Sequence, residues 1–188
     1  MSAPATSEFA RRYLTDALRT YRYYKALGER AIAQVSDADL HTLVDPDANS
    51  IAIIVKHVAG NLRSRFTDFL TSDGEKPDRD RDAEFEMPDR SSRDEILAGW
   101  SAACDATLAS IEALAPEDLD RTVYIRGEAF IVVEAMNRSI AHTAYHVGQI
   151  VLLAKHFAGA GWTSLTIPKG RSAEVGRGTY KQGIAPSR

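Results

Sequence analysis

The chain has 188 residues, 44% of them hydrophobic and 26% charged, with 23 Lys+Arg against 26 Asp+Glu and a formal net charge of -3. That length suits one domain, with or without extensions, and the composition lies near the globular average, which excludes disordered, collagen-like and disulfide-scaffold classes. The charge balance gives no general attraction to nucleic acid or to an anionic membrane, so function has to come from a local site.

The first nine residues carry neither a basic nor an apolar stretch, which argues against a signal peptide. A first helix is predicted over roughly 7–35, with Ser7 as N-cap and Phe9, Tyr13, Ala17, Tyr21, Tyr24, Ala31 and Val35 at three- and four-residue steps. The tyrosines at 21 to 24 read as core, with a ligand platform as the alternative. Ser36–Leu40 reads as a short capped turn and Asp45–Asn49 as a loop.

A second helix is expected from Asn49 or Ser50 to about Leu70, with Ile51, Ile54, Val55, Val58, Leu62, Phe66 and Phe69 on its apolar side. The mixed-charge run 72–82 that follows is a long connection, read as a solvated loop or a lid. A capping box, Ser92 to Glu95, opens a third helix whose stripe includes Ile96, Trp100, Ala103, Cys104, Thr107 and Ile111. Cys104, the single cysteine, therefore reads as a buried, inert thiol; it also rules out an internal disulfide and fits a reducing compartment.

Ala115–Leu119 has the signature of one short turn. Residues 121–126 and 128–133 flank Gly127, are rich in β-branched and aromatic residues, and predict a small hairpin. A fourth helix follows from about Val133 to Ala158, with Gly159 as its stop. The longest apolar stretch, 150–160, is interrupted by Lys155 and His156 and falls short of the ~20 residues that cross a bilayer. The expectation is an all-α protein: an antiparallel four-helix bundle over 1–160, a hairpin before the last helix, and an irregular tail over 161–188. A soluble cytoplasmic protein is the default location.

Among the five histidines, His142 and His146 stand four apart on the last helix, one above the other, where two imidazoles can share a metal ion. Taken alone, that spacing also fits a satisfied core pair. His57 on the second helix lies in an equally apolar surround, and three neutral imidazoles from two helices would make a facial set with open positions for water or substrate. Zincin, ferritin-like, P-loop, dinucleotide-binding and serine-hydrolase motifs are all absent from the sequence. Asn61 and Arg138 lie one helical turn from His57 and His142, so both can border the same cavity; Arg138 suits a carboxylate, or alternatively an ion pair with Glu134. Gln149, three residues after His146, suits a ligand ring, solvent or plain surface. His156 sits near a helix end in a structural role, and His41 lies in a polar loop.

His57, the His142/His146 pair, and the spacing of the four helices over residues 8–160 resemble the DinB/YfiT-like superfamily. The stretches Arg138–Ile150 and Ser164–Gly170 are similar to a branch of it known only as a domain of unknown function. The resemblance implies a bundle, often dimeric, that binds a divalent ion through the three histidines. Nickel or zinc is the expected ion, and imidazoles also accept iron, manganese or copper. It further implies a small-molecule substrate and, by analogy with members that use bacillithiol, mycothiol or glutathione, transfer of a low-molecular-weight thiol to an electrophile. Arg138 would anchor an anion, and Asn61 and Gln149 would touch the cofactor.

Metal-assisted hydrolysis ranks second, because no carboxylate falls on the three-histidine face of the helices to serve as a base. A metal-stabilised scaffold without catalysis is the third reading. A nucleic-acid role is weakest, for want of a basic stripe with interleaved aromatics.

Overall fold

The computed structural model of the chain describes residues 5–86 and 91–174. Five α-helices and one antiparallel hairpin make up its regular structure: α1 (Ala5–Ile32), α2 (Asp37–His41), α3 (Ile51–Phe66), α4 (Arg93–Glu112), β1 (Thr122–Ile125), β2 (Glu128–Ile131) and α5 (Val132–Ala158). The long helices pack in a ring, α1 against α4 and α5, and α3 against the same two.

The apolar stripes read from the sequence are the faces that meet. Every residue named for α3 is buried, as are Ile96, Trp100, Ala103, Cys104, Thr107 and Ile111 of α4. Fully removing such aliphatic and aromatic side chains from water stabilises by roughly 1.5–3 kcal/mol each, which is what holds the ring of helices together. Tyr21 is core, with its ring edge-on to Phe66 at 5.8 Å; Phe9 departs from the expected stripe and stays exposed.

Element ends follow capping chemistry more than periodicity. The first helix already runs from Ala5, so Ser7 lies inside its first turn and is no N-cap. Its other end, at Ile32, is closed by Arg93, whose guanidinium donates to the carbonyls of Ile32 and Val35 at 2.8 and 2.6 Å. Ser36 and Asp39 form a reciprocal capping box that starts α2, and Ser50 caps α3. That helix stops at Phe66, short of the expected Leu70, because Asp68 takes a left-handed conformation (φ 47°) that no helix continues through. The capping box at Ser92 and Glu95 is formed as expected.

The hairpin pairs Thr122 with Ile131 through Ile125 with Glu128, leaving Arg126 and Gly127 as a two-residue turn with φ of 55° and 74°. Two successive positive φ values define the turn whose twist matches the strands, and they explain the glycine. Arginine is unusual there. Its conformation is supported by the Asp73 carboxylate, which accepts from the backbone N–H of Arg126 and Gly127 at 2.9 and 2.7 Å.

The 72–82 run is not a free solvated loop. Gly74 donates to the Tyr124 carbonyl at 2.7 Å, Ser64 Oγ donates to the Gly74 carbonyl at 2.8 Å, and Lys56 donates to the carbonyls of Ala83 and Glu86. Residues 73–86 thus form a strap tied at one end to the hairpin and at the other to α3. The chain beyond α5 also docks, since Gln34 exchanges two hydrogen bonds with Thr163 and Leu165 is buried. Residues 175–188 of the expected tail, the extreme N-terminus and residues 87–90 lie outside the described residues. Among the described residues no helix is long and apolar enough to cross a membrane.

Cys104 is buried, and its burial, reinforced by Glu29 and Asp105 and opposed by Lys25, pushes the thiol up to about 12. The thiolate is the reactive form. Native protein at pH 8 is therefore expected to resist a chromogenic disulfide reagent and to release one equivalent only after denaturation. Rapid release from the folded protein would overturn this placement.

Candidate metal centre

His57 projects from the middle of α3, and His142 and His146 from successive turns of α5, where the two helices pack side by side. One ligand nitrogen from each ring lies within 4.8 Å of the others. His57 is buried at 3% exposure and the other two are half-buried.

Each ring's hydrogen bonds determine which nitrogen is free. The Nδ1 of His57 is 2.8 Å from Glu84 Oε2. Burial pushes the Glu84 carboxyl up, but hydrogen bonds from His57 and Arg79 together outweigh it and bring it down to about 2. An ionised carboxylate only accepts, so His57 Nδ1 carries the proton and, in the neutral ring, Nε2 carries the lone pair. His146 donates from Nδ1 to Gln149 Oε1 at 2.8 Å, which exposes its Nε2 in the same way. Burial, with smaller contributions from His146 and His57, brings His142 down to about 3, and burial also lowers His146. Both are therefore neutral at pH 7, the form that binds metal.

The distances test the fit. The Nε2 atoms of His57 and His142 are 3.1 Å apart. Two nitrogens bound at ~2.1 Å would be separated by about 3.0 Å at a right angle and about 3.4 Å at the tetrahedral angle. The observed spacing falls between these, and two lone pairs facing each other at that range repel unless a cation or a proton lies between them. The buried Nδ1 of His142 finds no partner among the described residues, so nothing there competes for the ring's orientation. The histidine set fits a divalent ion.

Glu84 is the residue the sequence pattern did not reveal. It comes from a short 3-10 turn (Asp82–Phe85) at the end of the strap, and its two oxygens are held by Arg79 Nε and Nη2 at 2.8 and 2.9 Å. Gly60 makes room for it, since a Cβ there would overlap Oε1. The sequence places no carboxylate on the three-histidine face, and Glu84 is not on it: it stands behind His57, and a carboxyl brought down to about 2 is too weakly basic to take a proton from substrate at neutral pH. Its part is to orient the ring. The long connection 72–82 was its only sequence signal.

The other sequence-named residues fall as follows. Asn61 is buried and lines a cavity of about 260 Å³ together with His57 and His142. Arg138 borders the same cavity, with its guanidinium 6.0 Å above the Phe130 ring. The alternative pairing with Glu134 is not formed, because that carboxylate accepts from the Ile131 N–H at 2.9 Å. Gln149 holds His146 in place. His41 lies 2.9 Å from the Ser91 carbonyl, outside the cluster, and His156 meets Phe157 edge-on.

A solved structure titled as a DinB-like protein from Bacillus cereus ATCC 10987 superposes with a TM-score of 0.60 at 18% identity, covering 78% of this chain and 92% of that one. That likeness establishes the fold: the protein is a mainly helical, DinB-like domain carrying a three-histidine cluster compatible with metal binding. More particularly, residues 8–171 match the family described as protein of unknown function (DUF1572), and the chain belongs to it. No curated protein matches the chain.

Proposed function

We propose that this protein is a metal-dependent transferase built on an antiparallel four-helix bundle, which adds a low-molecular-weight thiol to a small electrophile. The convergence of three imidazole nitrogens, with His57 and His146 each oriented by a hydrogen bond at the far side of the ring, carries the reading. His57, His142 and His146 would hold the ion, nickel or zinc by preference, and the resemblance that suggests thiol chemistry also suggests a homodimer. When bound, the ion supplies Lewis acidity that lets a coordinated thiol lose its proton near neutral pH. The chain's own residues shape the rest. Neutral imidazole ligands would leave the ion's full charge in place, Glu84 and Gln149 fix two of the rings, and Asn61 offers an amide to whatever enters beside His57. Hydrolysis stays second, because the carboxylate bonded to the cluster is locked by Arg79 behind His57, and Glu128, on the cavity wall, makes no hydrogen bond to any of the three histidines.

The test is conjugation of monochlorobimane by bacillithiol, mycothiol or glutathione, with protein loaded with nickel or zinc and with protein stripped by a chelator. Thiol-dependent turnover that disappears on stripping and returns with metal is the expected result. Equal rates in both samples would overturn the proposal.

A further inference from the structure

The cavity beside the histidines has a strongly one-sided lining. Five arginines face it: Arg65, Arg79, Arg81, Arg126 and Arg138. They come from α3, the strap, the hairpin turn and α5, so no single periodic element produces the cluster. Only one carboxylate, Glu128, shares the lining.

Most of these guanidiniums are partly committed. Arg79 spends Nε and Nη2 on Glu84, and it shares Glu75 with Arg65 and Arg126, whose distances to that carboxylate are 3.0 and 3.2 Å. One carboxylate thus answers three cations. Burial holds Arg65 below its ordinary range, and although Glu75 works against that, the nearby charges of Arg79 and Arg126 push it down further, so like charges are crowded there. Counting Glu75, Glu84 and Asp82, the ion-pair partners of these arginines, with Glu128, five guanidiniums face four carboxylates, an excess of one.

Arg138 and Arg81 are the arms with donors to spare. No carboxylate among the described residues lies within ion-pair distance of Arg138, which rests over Phe130. Arg81 lies over the Phe85 ring at 5.1 Å and is 3.7 Å from Asp82, a pairing exposed enough for water to screen. Guanidiniums present paired donors that match the two oxygens of a carboxylate or phosphate, so an excess of them around a concave wall selects anions. At about 260 Å³, the cavity has room for about nine waters at ~30 Å³ each, which suits a small acid more than an extended peptide or nucleotide.

We propose that this cavity binds the small-molecule substrate by a carboxylate or phosphate group, with Arg138 and Arg81 as its principal anchors, and so presents the rest of the substrate to the open face of His57 and His142. The placement of the reacting end rests on the proposed metal centre. The anion pocket itself does not, because its arginines are positioned by Glu75, Glu84, Phe85 and Phe130.

The experiment is titration calorimetry at fixed ionic strength on both zinc-loaded and metal-free protein. Succinate and inorganic phosphate serve as anionic probes and succinamide as a neutral control of matched size. Saturable binding of one anion per chain is expected in both samples, with no binding of succinamide. Arg138→Gln, at an exposed position that leaves the fold intact, is expected to weaken the anion at least tenfold, as is Arg81→Gln, with metal content unchanged in both. A preference for succinate or for phosphate tells which headgroup the pocket takes. Binding of succinamide as tight as that of succinate, or affinities untouched by either variant, would overturn the pocket. Anion binding in a protein that takes up no metal would leave the pocket standing and remove the metal centre and the placement that depends on it.

Discussion

Replacing His142 by alanine is expected to abolish stoichiometric metal binding. Elemental analysis should find about one zinc or nickel per chain in the parent protein and only a small residue in the variant, because the facial set falls from three imidazoles to two. The loss should not come from unfolding. His142 buries an Nδ1 that finds no partner among the described residues, and such an orphan costs about 1–3 kcal/mol. Removing it offsets much of the packing lost with the ring, so the metal-free variant should melt close to the metal-free parent. His156→Ala, on the same helix but outside the cluster, should keep the metal. Full occupancy in His142→Ala would refute the centre, and a chain that takes up neither zinc nor nickel would return the histidines to the core.

Glu84→Ala should damage both stability and metal affinity. The Glu84 carboxylate is the bidentate partner of Arg79, whose side chain is only 5% exposed, and it holds the proton side of His57. Without it a buried guanidinium keeps only Glu75, and breaking such a pair from one side typically costs about 3–5 kcal/mol. Metal affinity should fall by about 10–100-fold, the usual consequence of losing a partner that fixes a ligand's tautomer. Gly60→Ala separates the two effects. It keeps every charge but displaces the whole carboxylate, through Oε1 and Cδ, from its place between Arg79 and His57, so it should reproduce the affinity loss with a smaller drop in melting temperature. The pH dependence has a defined sign. Glu84 titrates near 2 in the folded chain against 4.5 ordinarily, so its stabilisation is complete above about 4.5 and is lost as pH falls toward 2. Parent-like metal affinity in Glu84→Ala would show that His57 orients itself.

These two residues mark the division between what the sequence revealed and what it concealed. His142 and His146 were legible because a helix brings residues four apart onto one face, and His57 because it sits within a second apolar stripe. The hairpin was legible from its β-branched strands and Gly127. Glu84 and Arg79 were not, because their meaning lies in contacts made across the fold. Glu84 is 27 residues from His57, and nothing periodic links a strap to the helix beneath it. The same holds for the arginines of the cavity: Arg138 was found one turn from His142, but Arg65, Arg81 and Arg126 converge on it only through tertiary structure. Helix ends were missed at Ser7 and Leu70 for a related reason. Ser7 looked like a cap but lies within a helix that starts earlier, and a left-handed Asp68 ends the other where apolar spacing alone would continue it.

His57 and His142 are separated by 85 residues, whereas His142 and His146 are neighbours on one helix. An unfolded chain can offer a metal ion only the local pair. The third imidazole arrives when α3 has docked against α5, and the strap that orients it must have closed over α3 as well. A bound ion would therefore distinguish the finished molecule from every partly assembled one, and the affinity added by the third ligand would be free energy that acts on the fold as a whole.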